Sequence, residues 1–117
     1  MSAKRPTGAL EEQVMTYLWS AGEPATPADV HAAVAPELAY TTIMTILTRL
    51  FEKDRLVRGQ RGRAYTYEPV RSEAEHRADA MQSSLDRSGD RAAVLSQFVE
   101  TLDARDAKTL LALLGRS

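Results

Sequence analysis

The sequence predicts a mainly α-helical chain in which three helices and a two-stranded β-hairpin come first and three further helices follow. Three observations carry that prediction. Apolar residues recur at three- and four-residue intervals in several separate windows, proline and glycine punctuate the gaps, and one stretch between Leu56 and Pro69 sets strand-forming residues around a glycine turn. With 117 residues the chain has room for one compact domain and a small appendage, not for two independent cores. An apolar share of 44% and a charged share of 26% place it among folding globular proteins and away from disordered ones.

The first helix is expected from about Ala9 to Trp19, where Leu10, Val14, Met15, Leu18 and Trp19 share one face. Ala21-Gly22-Glu23-Pro24 ends it. Thr26-Pro27-Ala28-Asp29 opens the second: the Thr26 hydroxyl accepts from exposed amides, Pro27 suits the first helical position, and the Asp29 charge suits the positive helix end. Val30, Ala33 and Val34 supply its apolar face before Pro36 stops it. A third helix runs from Tyr40 or Thr41 to about Lys53. At about 100° per residue, Ile43, Ile46, Leu47 and Leu50 converge on one side, which must face the core. The opposite side carries Thr41, Thr45, Thr48 and Glu52, flanked by Thr42 and Arg49 on one edge and Met44 on the other. Threonine suits a solvated helix surface poorly, since its branched Cβ lowers helix propensity, so a cluster of threonines there asks for another task.

The hairpin is expected as strands Leu56–Gln60 and Ala64–Glu68 around an Arg61-Gly62-Arg63 turn, with Pro69 closing the second strand. Ser72-Glu73-Ala74-Glu75 reads as a capping box, opening a fourth helix with Ala74, Ala78, Met81 and Leu85 on one face until Ser88-Gly89. A fifth helix from about Asp90 lines up Leu95, Phe98, Val99 and Leu102. Asp103 then caps a sixth that bears Leu110, Leu111 and Leu114. This order divides the chain into residues 1–71 and residues 72–117. The second part is too short to close its own core. It is expected to bury Met81, Leu85, Leu95, Phe98, Leu102, Leu110 and Leu114 against a partner, most simply a second copy in a homodimer. Folding back onto the first part is the alternative.

Net charge is −1, which does not suggest a nucleic-acid binder until the charges are placed along the chain. From Arg49 to Arg71 seven basic residues face three acidic ones, whereas from Ser72 onward six basic residues face eight acidic ones. The basic excess therefore coincides with the third helix and the hairpin. A short helix, a connection, a longer helix with a polar outer face and a hairpin with a basic tip follow the order of a winged helix-turn-helix. A helix enters the major groove of a duplex only if its outer side chains are small or reach out as donors. Thr41, Thr42, Thr45 and Thr48 meet that condition, and Arg49 reaches a phosphate or a guanine edge one turn on. Arg61 and Arg63 flank a glycine that lets the hairpin tip approach the DNA backbone or minor groove. Trp19, Tyr65 and Tyr67 are assigned to packing rather than to base stacking.

Catalysis finds little support. The chain has no cysteine, which removes disulfides, thiolate metal sites and thiol nucleophiles. His31 and His76 lie on different helices, form no metal-binding pair and are expected at the surface. No nucleophile-elbow, P-loop or dinucleotide motif is present. No enzyme activity, cofactor or metal is expected. No apolar run reaches membrane-spanning length, and the basic start Met1-Ser2-Ala3-Lys4-Arg5-Pro6 precedes no apolar stretch, so a cytoplasmic protein is expected, with no membrane insertion.

The blocks Leu10-Glu11-Glu12-Gln13-Val14-Met15-Thr16-Tyr17-Leu18-Trp19 and Leu38-Ala39-Tyr40-Thr41-Thr42-Ile43-Met44-Thr45-Ile46-Leu47-Thr48-Arg49-Leu50, with the wing at Arg61–Tyr67, resemble the penicillinase-repressor family of bacterial winged-helix regulators (BlaI/MecI/CopY type). The second block is the more specific. The resemblance implies a homodimeric transcriptional repressor on a palindromic operator, released by a signal. In that family release comes from proteolysis within the dimerisation helices, triggered by a membrane metalloprotease sensor. The family's scissile Asn-Phe pair corresponds to Gln97-Phe98 here, a departure at its first residue. The copper-responsive branch binds metal through cysteines, which this chain lacks. Two other readings remain open at this point: a protein-interaction adaptor that has lost DNA binding, and a regulator that takes a small molecule near Met81, Leu85 and Phe98.

Overall fold

The computed structural model describes residues 7–116; the reading of Met1 to Pro6 above lies outside them. The chain runs α1 (Thr7–Ala21), α2 (Pro27–Val34), α3 (Tyr40–Glu52), β1 (Leu56–Arg61), β2 (Ala64–Pro69), α4 (Glu73–Asp86), α5 (Arg91–Thr101) and α6 (Ala104–Leu114). It separates into two compact units, one ending at His76 and the other beginning at Arg77, a few residues after the expected boundary at Arg71. No helix among the described residues is long and apolar enough to cross a membrane.

The first unit is a winged helix-turn-helix built around one apolar core. Leu10, Val14, Met15 and Leu18 of α1 are buried against Val30 of α2 and against Ile43, Ile46, Leu47 and Leu50 of α3. Leu56 and Tyr67 bring the hairpin into the same core. Each fully buried aliphatic side chain contributes about 1.5–3 kcal/mol of transfer free energy, so the four apolar residues of α3 fix its rotation about its own axis. Trp19 and Phe51 are half-buried at the rim. The Trp19 indole N–H donates to the Arg71 carbonyl (3.0 Å), which ties the end of α1 to the chain leaving the hairpin.

The connections follow from local chemistry. The expected Thr26 cap forms at α2, and the structure completes it into a capping box: Asp29 N–H donates to the Thr26 hydroxyl, and Thr26 N–H donates to the Asp29 carboxylate, both at 3.1 Å. Between α2 and α3, the His31 Nε2 donates to the Leu38 carbonyl (2.7 Å), and the ring meets Tyr40 edge-on at 5.8 Å. The helix-turn-helix corner is therefore closed by a side chain as well as by backbone. At the far end of α3, Asp54 takes a positive φ of 61° while Asp54 N–H donates to the Phe51 carbonyl (3.0 Å) and Arg55 N–H to the Leu50 carbonyl (2.9 Å). This is the paired capping pattern that glycine usually completes. It turns the chain sharply enough for β1 to start beside α3.

β1 and β2 pair antiparallel with Leu56 opposite Pro69 and Arg61 opposite Ala64. The turn is thus two residues, Gly62-Arg63, and not three as the sequence suggested; Arg61 still belongs to the ladder. Gly62 has a φ of 63° and Arg63 is not in the positive region, the arrangement of a type II′ hairpin turn. Ala25 adds a third, one-residue strand through Ala25 N–H to the Tyr67 carbonyl (3.0 Å) and Tyr67 N–H to the Ala25 carbonyl (2.8 Å). Tyr67, only 1% exposed, is clamped between this bridge and the core.

In the second unit, α5 starts at the Asp90 cap and α6 at the Asp103 cap, each carboxylate accepting a backbone amide three residues on. No residue of α4, α5 or α6 is buried. Leu85, Leu102 and Leu110 are half-buried, and the other apolar residues of these helices named above stay exposed or half-buried.

Truncation at the centre of the first core tests this packing. Leu47→Ala is expected to lower the unfolding free energy in urea by about 2–5 kcal/mol, and a loss below about 1 kcal/mol would contradict the placement of Leu47.

Candidate nucleic-acid interface

The face of α3 opposite its core residues carries Thr41, Thr45, Arg49 and Glu52, all exposed, with Thr42, Met44 and Thr48 half-buried along the edges. The side chains picked from sequence thus lie on one continuous helix surface. They are not equivalent. The Thr45 hydroxyl donates to the Thr41 carbonyl (2.9 Å), so its proton is committed within the helix and what it presents outward is an acceptor and a methyl group. The N-cap of α3 is Ala39, with no side-chain cap; the Thr42 N–H donates to the Ala39 carbonyl (3.0 Å).

The two arginines of the wing differ as well. Arg61 donates from Nη2 to the Pro24 carbonyl (2.9 Å) and holds Nη1 at 3.7 Å from the Asp29 carboxylate. It therefore buttresses the wing against the start of α2. Arg63, at the turn, and Arg49, on α3, are exposed, and their side chains make no hydrogen bond or ion pair among the described residues. Lys53 reaches back to Glu11 on α1 at 3.3 Å, and Arg55 approaches Glu12 at 3.8 Å while its Nη2 donates to His76 Nε2 (3.1 Å). These two cations of the basic stretch are thus engaged inside the protein.

One sequence expectation is corrected. His31 and His76 are half-buried, not surface residues, because the first closes the helix-turn-helix corner and the second sits on Arg55 with its ring 5.3 Å from that of Trp19. Tyr65 is exposed on the sheet face, where its ring and that of Phe51 both pack on the Arg58 guanidinium, each ring centre 4.3 Å from Arg58 Cζ. Sequence reasoning counted Arg58 only as one charge among several. Strand register holds the missed signal: Arg58 lies opposite Tyr67 and Tyr65 opposite Gln60, which sets Arg58 and Tyr65 diagonally on the same face.

With this geometry established, comparison with known proteins gives the kinship. The family described as penicillinase repressor matches residues 7–116. The chain belongs to the penicillinase-repressor family. Transcriptional regulator BlaI, from two strains of Mycobacterium tuberculosis, is 42% identical over 108 residues, which span 88% of this chain and 78% of that protein. Among solved structures, a variant of Lactococcus lactis ZitR aligns over 98% of this chain and 75% of its own at 10% identity, with a TM-score of 0.48. This penicillinase-repressor family member is therefore a transcriptional regulator by kinship.

The residues expected at a dimer interface fall on α4, α5 and α6, except Leu102, which caps the C-terminus of α5. Met81, Leu95, Phe98 and Leu114 are exposed, Met81 at 59% and Leu114 at 66%, while Leu85, Leu102 and Leu110 are half-buried. Within this unit Ala78, Met81 and Leu85 of α4 and Val94, Leu95 and Phe98 of α5 line an apolar groove of about 480 Å³. The Gln97-Phe98 peptide lies inside α5, so a protease reaches it only after that helix opens locally. No group of three or more His, Asp or Glu side chains placed to hold a metal ion occurs among the described residues.

The capping carboxylate gives a pH signature. The Asp29 carboxyl is held below its ordinary range, first by the Thr26 backbone amide, then by the Thr26 hydroxyl, with the Arg61 charge adding to both. A folded-state pKa below the unfolded one means that ionised Asp29 stabilises the fold above the unfolded pKa. That stabilisation is lost as pH falls through the lowered folded value. Wild type and Asp29→Asn should therefore differ in Tm at neutral pH, with the gap narrowing only as pH drops below about 4 and closing below the lowered folded value; a gap that persists unchanged in strong acid would contradict the assignment.

Proposed function

We propose that this regulator is a repressor that binds a palindromic operator as a homodimer. Each copy lays α3 in the major groove and rests its wing on the adjacent backbone. The observation that carries the reading is the division of α3 into a fully buried apolar face and an opposite face of threonine and arginine. Thr41, Thr42, Thr45 and Thr48 are the base-edge and backbone contacts, Arg49 and Arg63 the free cations, and Arg61 a wing contact that also holds the hairpin to α2. With its proton spent on Thr41, Thr45 accepts from an exocyclic amine or meets a thymine methyl.

Residues 72–117 act as the dimerisation region. The exposed apolar surface of Met81, Leu95, Phe98 and Leu114 supports this role, since such a surface seeks cover and a two-fold partner supplies it. A signal that separates the copies, by proteolysis at a bond such as Gln97-Phe98 through a membrane metalloprotease sensor or by other means, would lower the affinity of both α3 helices at once. The protein works in the cytoplasm on this reading. The relative BlaI, named a transcriptional regulator, points the same way.

Fluorescence anisotropy with a duplex from the promoter region of its own operon tests the proposal. The logarithm of the binding constant should fall linearly with the logarithm of salt concentration, and Arg63→Ala should reduce the slope by about 0.9. Salt-independent binding, or none, would contradict it. For the dimer, Phe98→Asp should halve the sedimenting mass. An unchanged mass would place dimerisation elsewhere or nowhere.

A further inference from the structure

We infer that Arg58 is a pre-positioned phosphate clamp, its guanidinium held rigid between Phe51 and Tyr65 so that it meets one fixed phosphate of the DNA strand passing from α3 to the wing. This inference rests on the DNA-binding reading above and names a contact that neither the threonine face nor the wing tip supplies.

The geometry is unusual for a surface arginine. Its Cζ lies 4.3 Å from the centre of the Phe51 ring and 4.3 Å from that of the Tyr65 ring. Phe51 belongs to the last turn of α3 and Tyr65 to β2, so the cation bridges the recognition helix and the wing. Two π systems, which attract a cation electrostatically, flank the guanidinium carbon at equal distances. Its N–H donors all lie in the plane of the guanidinium group. Yet Arg58 is exposed and its side chain makes no hydrogen bond or ion pair among the described residues.

The other arginines around it sharpen the contrast. Arg55 and Arg61 give donors to His76 and to the Pro24 carbonyl. Arg58 is instead contacted by two aromatic rings, an attraction that restrains the side chain without using any of its donors. A free surface arginine must be ordered when it binds, at a cost of about 0.5–1.5 kcal/mol for a rotamer-rich side chain. Stacking meets that cost during folding. The complementary ligand is an anion with paired oxygens, since the in-plane fork fits such a group bidentately. At the seam between a groove-entering helix and a wing, the anion is a backbone phosphate.

The test uses the full-length chain and a labelled duplex enriched from a random-sequence pool by the wild type, titrated over a range of salt concentrations. Arg58→Ala should weaken binding about tenfold and reduce the salt slope by about 0.9. Arg58→Lys should keep the slope and lose several-fold in affinity, because an ammonium neither stacks as a plane nor forms a fork. Tyr65→Leu should do the same, since the charge stays while its restraint is lost. Circular dichroism melting confirms that each variant folds, and Arg58→Lys keeps the question open to test if Arg58→Ala does not. Wild-type affinity and slope in Arg58→Ala, with a reduced slope in Arg63→Ala, would overturn the clamp and leave DNA binding intact. Failure of the wild type to enrich any duplex would overturn both.

Discussion

Everything outward-facing in the first unit depends on the burial of one side of α3. Ile43, Ile46, Leu47 and Leu50 enter the core beside Leu10, Val14, Met15 and Leu18, and this sets the helix to one rotation about its axis. A shift by a single residue would turn the apolar side by about 100° and drag threonine hydroxyls into the core. Hydrophobic burial therefore does more than stabilise; it selects which side chains a partner meets. The hairpin depends on the same event, because Leu56 and Tyr67 complete the core that α3 begins. Its turn away from α3 is then set by the left-handed Asp54.

Much of this was legible in the sequence because the relevant forces are local or periodic. The spacing of the α3 aliphatics, the Thr26 cap, the Ser72–Glu75 capping box and the leucine rows of α5 and α6 all act over three or four residues. What escaped depended on partners distant in the chain. Arg61 is turned toward Pro24, thirty-seven positions away, and His76 toward Arg55, twenty-one away. Neither has a sequence pattern, since a charged or aromatic side chain advertises nothing about which distant carbonyl or ring it will find. The Arg58 sandwich lies between these cases. Register places Arg58 beside Tyr65, but Phe51 joins only because the Asp54 turn brings the end of α3 against β1.

The two units illustrate different ways of using apolar residues. The first buries them against itself, and its surface is left to polar groups with defined roles. The second spaces Met81, Leu95, Phe98 and Leu114 on capped helices and buries none of them within the chain. Membership of the penicillinase-repressor family makes the chain a transcriptional regulator.

Titrating an isotopically labelled full-length chain with an enriched duplex and following the backbone amides by NMR tests the central claim most directly. The largest shift changes should fall on residues 41–49 of α3 and on residues 58–64 of the wing, with α1 little affected. Changes concentrated on α1, or on the helices after Arg77 with α3 silent, would show that the outer face of α3 is not the reading surface.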